Sequence, residues 1–598
     1  MTEPLHIDTS PLMQNPNYRP VFFDFEVLKW ECMLTVYDVW QDKWITARTP
    51  ELCGNLLRGY LMDPRTVFAG FNNKNYDNLV ATACIDNWSQ RDIVDLNAGI
   101  IYFMPDTIHG VSYDDFSDLR FSLPNVWTFA KRSWDVGWDL DGPAKMGPLG
   151  CKIPYMSLKK WEKFNGYRVV ETPIPFTHPL PLTEAEAYQM GEYNTYDVAA
   201  TVAMGVKHAA EWVTRCGFAD ILGPKKFGWH KTFTKLSADL FVDKPKDRVG
   251  ADDTLWTQTV PNIPDCLRIG KYTDILKHYS KRLWEIEERS LSVSVCGIPH
   301  TFGIGGGHSD SKRFVFKGLF WHVDASGFYP ALMCTFDLCS RTMNKKKFDK
   351  TRRLRMSMAK SDPRRNVFKR ALNVASGGMK DIFSTFYDPA KNCQVCILGQ
   401  LFIVDLLDKL EPYTTLIQTN TDGVYVIPNS KEDAILAKHA IAEFQTRTKL
   451  PLDFDEYIEM YQRDVNNYIT IERDGKETVK GSAFHSIEHM KPSVGQMMNR
   501  CDIMGTVFNP EQYTLEELAI VCTRDKNSRG FSIDGEETDV ETIDVLPVFP
   551  FQSHEIHTVK KNGDFCKARL CPIFSGAVTQ VSRAEIDYSY YQIGANKE

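Results

Sequence analysis

Two short carboxylate elements constrain this chain more than anything else in it. The first is Val323-Asp324-Ala325-Ser326-Gly327-Phe328-Tyr329-Pro330, at the end of the apolar run Leu319-Phe320-Trp321-His322-Val323. That run predicts a buried strand ending on an acid. The second is Thr419-Asn420-Thr421-Asp422-Gly423, between Leu416-Ile417-Gln418 and Val424-Tyr425-Val426-Ile427. Apolar β-formers around a turn closed by Asp-Gly predict a hairpin. A strand-end acid and a hairpin acid brought together would bind two divalent cations, which clamp the attacking and leaving oxygens of an in-line phosphoryl transfer. Taken singly, each is an ordinary turn or strand-end aspartate, so the case rests on what surrounds them.

At 598 residues, with 43% hydrophobic and 25% charged residues, the chain has a globular composition. It is long enough for roughly three to five domains. No apolar run approaches a membrane span, and the N-terminus has neither the basic nor the apolar region of a secretory signal. The 15 cysteines at irregular spacing fit a reducing, cytoplasmic setting. Cys393-Gln394-Val395-Cys396 lacks a second pair at zinc spacing and reads as structural thiols. The net charge of −7 argues mildly against a nucleic-acid partner, but positive charge is concentrated between Lys345 and Arg370, where Lys and Arg far outnumber Asp349 and Asp362. Such a segment is either a phosphate-binding footprint or a solvated helix face.

Within it, Ser361-Asp362-Pro363 predicts a helix start, with an acidic N-cap and proline at the first helical position. Arg365, Lys369 and Asn373 then share one face, suited to gripping a polyphosphate, and Gly377-Gly378 ends the helix. Near the N-terminus, Asp24 and Glu26 lie two apart on the apolar strand Pro20–Glu26 and project to one side. Asn73-x-x-x-Asp77 and Tyr193-x-x-x-Asp197 follow, the second pair one helical turn apart. Four acids and a tyrosine fit a two-metal nuclease in which the phenol orients the attacking water. Residues 215 to 300 read as a connector, with a helix over Tyr272–Arg289. Ile304-Gly305-Gly306-Gly307-His308-Ser309-Asp310 lacks P-loop spacing, and its adjacent His, Ser and Asp make poor triad geometry. A glycine loop that approaches nucleic acid, or a plain turn, remains.

In this order the motifs resemble those of a family B DNA polymerase of the compact bacteriophage type. Asp324–Pro330 resembles the first polymerase motif, with Gly327 in place of serine; Lys369–Gly377 resembles the second, with Ser376 in place of tyrosine. Asn420–Gly423 resembles the third, D-T-D-S, with Asn420 for the first acid and Gly423 for serine. Asn466-Asn467-Tyr468 resembles the primer-terminus motif K-x-Y without its lysine. Asp24-x-Glu26, Asn73-x-x-x-Asp77 and Tyr193-x-x-x-Asp197 resemble the 3′–5′ proofreading exonuclease motifs, and the glycine loop resembles the linker between the two activities.

The resemblance implies a mixed α+β, multi-domain fold: an RNase H-like exonuclease at 1–215, a connector and start of palm at 216–300, and palm at 301–340. Fingers follow at 341–385, the second part of the palm at 386–500, and a thumb or C-terminal DNA-binding region at 501–598. It further implies Mg2+, two per site with Mn2+ as substitute, held by Asp324, the Ala325 carbonyl and Asp422 in one site. Asp24, Glu26, Asp77 and Asp197 hold it in the other. Arg365, Lys369 and Asn373 would bind the incoming dNTP, and Tyr329 would exclude a 2′-hydroxyl. Asn73 and Tyr468 would contact the DNA. DNA primer-template, dNTPs and replication accessory proteins are the implied partners, in viral genome replication in an infected bacterial cytoplasm. The short spacings from Asp324 to Lys369 and from Lys369 to Asp422 leave little room for the insertions of protein-primed relatives, which implies an ordinary 3′-hydroxyl primer and modest processivity. The alternative is an exonuclease whose polymerase half has decayed into a DNA-binding module.

Overall fold

The computed structural model describes residues 7–102, 126–139, 157–165, 174–243, 255–484 and 494–518 continuously, with short pieces between them and isolated strands from 520 to 575. Nearly half of the expected thumb region, including 576–598, therefore lies outside the described residues. The fold is mixed α and β, as expected, and divides into two compact units. One comprises Met1–Ala219, Gly228–His230 and His485–Glu598; the other comprises Asp220–Phe227 and Lys231–Phe484. Among the described residues no helix is long and apolar enough to cross a membrane.

The first unit is built on a five-stranded sheet of β1 (Arg19–Val27), β2 (Cys32–Asp38), β3 (Lys43–Arg48), β4 (Thr66–Gly70) and β5 (Ser133–Asp135), in the order β3-β2-β1-β4-β5. β1 to β3 are antiparallel neighbours, whereas β4 runs parallel to β1 and β5 parallel to β4. A parallel return needs a crossover, supplied between β3 and β4 by α1 (Pro50–Leu61). β1 is buried along nearly its whole length, and Phe23 packs edge-on against Phe68, which stacks on Phe129 at 4.7 Å. Among the helices of this unit, α2 (Asp77–Ile85) and α4 (Glu184–Lys207) pack on β1, and α3 (Leu158–Phe164) packs on α4. α4 starts at a capping box, Thr183 with Glu186.

The second unit opens with α5 (Phe233–Phe241) and a small sheet of β6 (Leu291–Val295), β7 (Ile298–Phe302) and β8 (His308–Ser309). The helix expected over Tyr272–Arg289 is broken into Thr273–Tyr279 and Leu283–Glu288. Arg282 adopts extended backbone between them, and its amide donates to the Glu285 carboxylate at 3.3 Å, capping a new helix. The main sheet is antiparallel throughout, with β9 (Phe314–Ala325), β10 (Thr414–Thr419), β11 (Gly423–Pro428), β12 (Leu452–Asp464), β13 (Asn467–Ile471) and β14 (Glu477–Lys480) in the order β10-β11-β9-β12-β13-β14. The hairpin expected from Asn420–Gly423 is present as β10 and β11, and the strand ending on Asp324 is β9.

Helices of this unit include α6 (Phe328–Thr335), α7 (Lys345–Ser357), α8 (Pro363–Gly377) and α9 (Pro389–Leu410), and a further helix, Lys431–Thr448, packs on β10 and β11. α8 begins as the sequence predicts, with the Asp362 side chain accepting from the Arg364 amide and Pro363 in the first turn. Its buried face is Val367, Phe368, Ala371, Leu372 and Ala375. α9 is buried on nearly all sides, the pattern of a core helix. Cys393 and Cys396 on it are free thiols.

Candidate active sites

In the first unit the strand pleat points Asp24 and Glu26 to one side of β1. Asp77, the first residue of α2, accepts from the Phe25 amide at 3.0 Å, which fixes its carboxylate between theirs. From α4, Asn194 Nδ2 donates to Asp24 Oδ2 at 2.7 Å. Asp197 lies one turn further along and ion-pairs with Lys159 of α3. That ammonium sits 4.8 Å from the Tyr193 ring centroid and 3.6 Å from the Glu162 carboxylate. The four expected acids therefore converge from three elements.

Their electrostatics are those of crowded, buried anions. Burial first, and then the neighbouring carboxylates, push Asp24 and Glu26 well above the usual carboxylate range. Burial lifts Asp77 to about 7 although two backbone amides pull the other way. Asp197 is raised by burial, opposed by Lys159 and Tyr193. Asn73, by contrast, is fully buried, and its amide donates to Ser133 Oγ at 3.0 Å and the Trp134 carbonyl at 3.2 Å, tying its loop to β5.

In the second unit two ladders set the site. Asp324 stands opposite Gly423 on one side and Asp453 on the other. The Ala325 amide donates to the Asp422 carbonyl at 2.8 Å, so the hairpin turn is pinned to the end of β9. Burial, and then the charges of Asp422, Asp453 and Asp455, raise Asp324 to about 7, while Lys369 opposes them. Gly423 has no space for a side chain: a β-carbon there would lie 2.8 Å from His322 Nε2 and 3.1 Å from Asp324 Oδ1. His322 stacks on Tyr425 at 4.2 Å and is pushed down to about 4 by burial and the Lys480 charge. Asn420 Nδ2 donates to the Tyr468 hydroxyl at 3.2 Å, and that hydroxyl meets Tyr425 Oη at 3.3 Å.

Gly327 caps α6 in the left-handed region at φ 58, and a β-carbon there would lie 2.9 Å from Arg355 Nη1. Tyr329 packs on α9, 3.3 Å from the place of a β-carbon on Gly399, and its hydroxyl is pushed up by burial and by Cys396. Lys369 and Asn373 are exposed on α8 and Arg365 is half-buried. Much of the basic segment is already matched: Lys345 with Asp337, Lys347 with Asp243, Arg352 and Arg353 with Asp349, and Arg364 with Asp362. Arg355 and Arg365 differ. Neither forms an ion pair among the described residues, each has a buried Nε without a partner there, and burial together with the Arg365 charge lowers Arg355. Like charges that oppose each other in this way favour a shared anion.

The glycine loop serves packing. Gly306 lies against Thr421 and Gly307 against Gln400, whose amide donates to the Gly303 and Gly305 carbonyls. Ser309 accepts from the Thr419 amide at 3.0 Å and so braces β10.

Both acid sets offer only carboxylate and carbonyl oxygens, the donors that hard divalent cations such as Mg2+ prefer. Burial first and mutual repulsion second raise their proton affinities, and a bound cation would relieve the repulsion. Among the described residues no three acidic, histidine or cysteine side chains stand in ready-made ligating geometry. Sequence reading missed Lys159, Arg355, Asp453 and Asp455. Only the acids left a signal, the alternation Asp453-Phe454-Asp455, which points both to one face of β12.

No family model matches the chain, and no curated protein does. Among solved structures it is similar to the family B DNA polymerase from the hyperthermophilic archaeon Pyrobaculum calidifontis. The match covers 96% of this chain and 76% of that one, at 12% identity and a TM-score of 0.43. A likeness that distant establishes neither fold nor activity.

Proposed function

We propose that the second unit is a template-directed DNA polymerase of the family B kind and the first a 3′–5′ exonuclease that proofreads for it. The observation that carries the reading is the pinning of Asp422 beside Asp324 by the hairpin, with the Lys369 charge acting on Asp324 and Arg355 acting on Asp453 across the ladder. Carboxylates beside concentrated positive charge suit phosphoryl transfer, where cations stabilise the charge that develops on the phosphate. Bound Mg2+ would supply Lewis acidity and activate the attacking oxygen. Asp324, Asp422 and the Ala325 carbonyl would hold it in the second unit; Asp24, Glu26, Asp77 and Asp197 in the first.

The chain's own groups do the rest. Arg365, Lys369, Asn373 and Arg355 bind the triphosphate of a dNTP, and Tyr329 closes the space beside its sugar. In the first unit Tyr193 and Lys159 orient the attacked phosphodiester and its water. The strand order β3-β2-β1-β4-β5 supports an RNase H-like reading of that unit.

A labelled primer-template incubated with Mg2+, with and without dNTPs, tests this. Asp324→Ala should abolish extension and spare single-strand degradation, and Asp24→Ala with Glu26→Ala should do the reverse. Loss of both activities in a well-folded variant, or neither activity in the parent, overturns the assignment.

A further inference from the structure

Lys480 ends β14, the edge strand of the main sheet, and its position is tightly specified. It pairs with Tyr468, so the two side chains share a face of the sheet. That face is the one on which the Tyr468 hydroxyl meets Asn420, in the turn that carries Asp422. The next residue, Gly481, adopts φ 90, and a β-carbon there would lie 2.1 Å from the Asn466 carbonyl and 2.2 Å from Asn467 Oδ1. The Ala483 amide donates to the same Asn467 oxygen at 2.8 Å, and Asn467 in turn donates to both oxygens of Asp464. The end of β14 is thereby clamped onto the start of β13.

Nearby cations have partners: Lys476 with Glu472 at 2.9 Å, Arg473 with Glu456 at 3.3 Å and Lys317 with Glu459 at 3.6 Å. Lys480 is exposed and forms no ion pair among the described residues. A lysine whose backbone is clamped here, whose charge reaches His322 next to Asp324, and which is bound to none of the described acids is available to an external anion.

We propose that Lys480 holds a backbone phosphate of the DNA strand whose 3′ end lies at Asp324 and Asp422. This rests on the polymerase reading and adds a contact from a neighbouring strand of the sheet, since Asn466 and Asn467, just before Tyr468, carry no charge. A phosphodiester suits the site: it is anionic and needs one point charge rather than a planar fork.

The test is the binding of a fluorescein-labelled primer-template, read by anisotropy across a KCl series. Each phosphate contact contributes about 0.9 to the slope of log affinity against log salt. Lys480→Gln should lower that slope by about 0.9 and raise the KM for DNA several-fold, leaving the KM for dNTP unchanged. Lys480→Arg should retain the slope, and Asn466→Lys in the Lys480→Gln background should restore it. A slope unchanged by Lys480→Gln overturns the proposal, whether or not the parent extends primers. A lowered slope in a chain that extends nothing keeps the phosphate contact and removes the polymerase reading.

Discussion

At position 423 a β-carbon would meet His322 Nε2 at 2.8 Å and Asp324 Oδ1 at 3.1 Å. Gly423→Ala should therefore cost about 1–3 kcal/mol in urea unfolding, the usual range for overpacking, and should impair extension by displacing Asp324. His322→Ala in the same chain should recover part of both. Asp324 itself makes a pH prediction. Its acid is raised from 3.8 to about 7, so the folded chain holds this proton more tightly than the unfolded one. Stability from this group is full below about pH 4 and is lost as pH rises through 7. Asp324→Asn should then stabilise the chain at pH 8 by about 2–4 kcal/mol in metal-free buffer, with the gain vanishing towards pH 4. A constant gain across that range would show that charge is not its cause.

At the scale of elements, α8 separates two kinds of work. Leu372→Ala, on the buried face, should cost about 2–5 kcal/mol. Lys369→Ala, on the exposed face, should leave the melting temperature unchanged and lower extension about a hundredfold. Such elements were legible because their signals are local: the Asp362 cap with Pro363, and the Asp-Gly turn between β-formers. Asp24 and Glu26 were legible for the same reason, being two residues apart on one strand. Arg355 and Lys159 were not, and the acids of β12 left only their alternation, with nothing to say which strand they face. Each joins its site through tertiary packing or strand pairing distant in sequence, and register across a sheet is not written in either strand alone. The helix broken at Arg282 was missed because an arginine gives no capping signal; its backbone amide and Glu285 do that work.

At the scale of the molecule, the two units have separate cores. Trp134 is fully buried in one and Leu401 in the other. Calorimetry should resolve two transitions, with Trp134→Ala lowering one and Leu401→Ala the other. Coincident shifts would mean a single cooperative block. The segmentation has a mechanical corollary. Because the first unit owns both residue 10 and residue 515 while the second is spliced between them, tension applied across those two points loads the first unit alone. The second unit feels no force until its host gives way, so a force-extension trace should show an ordered pair of ruptures.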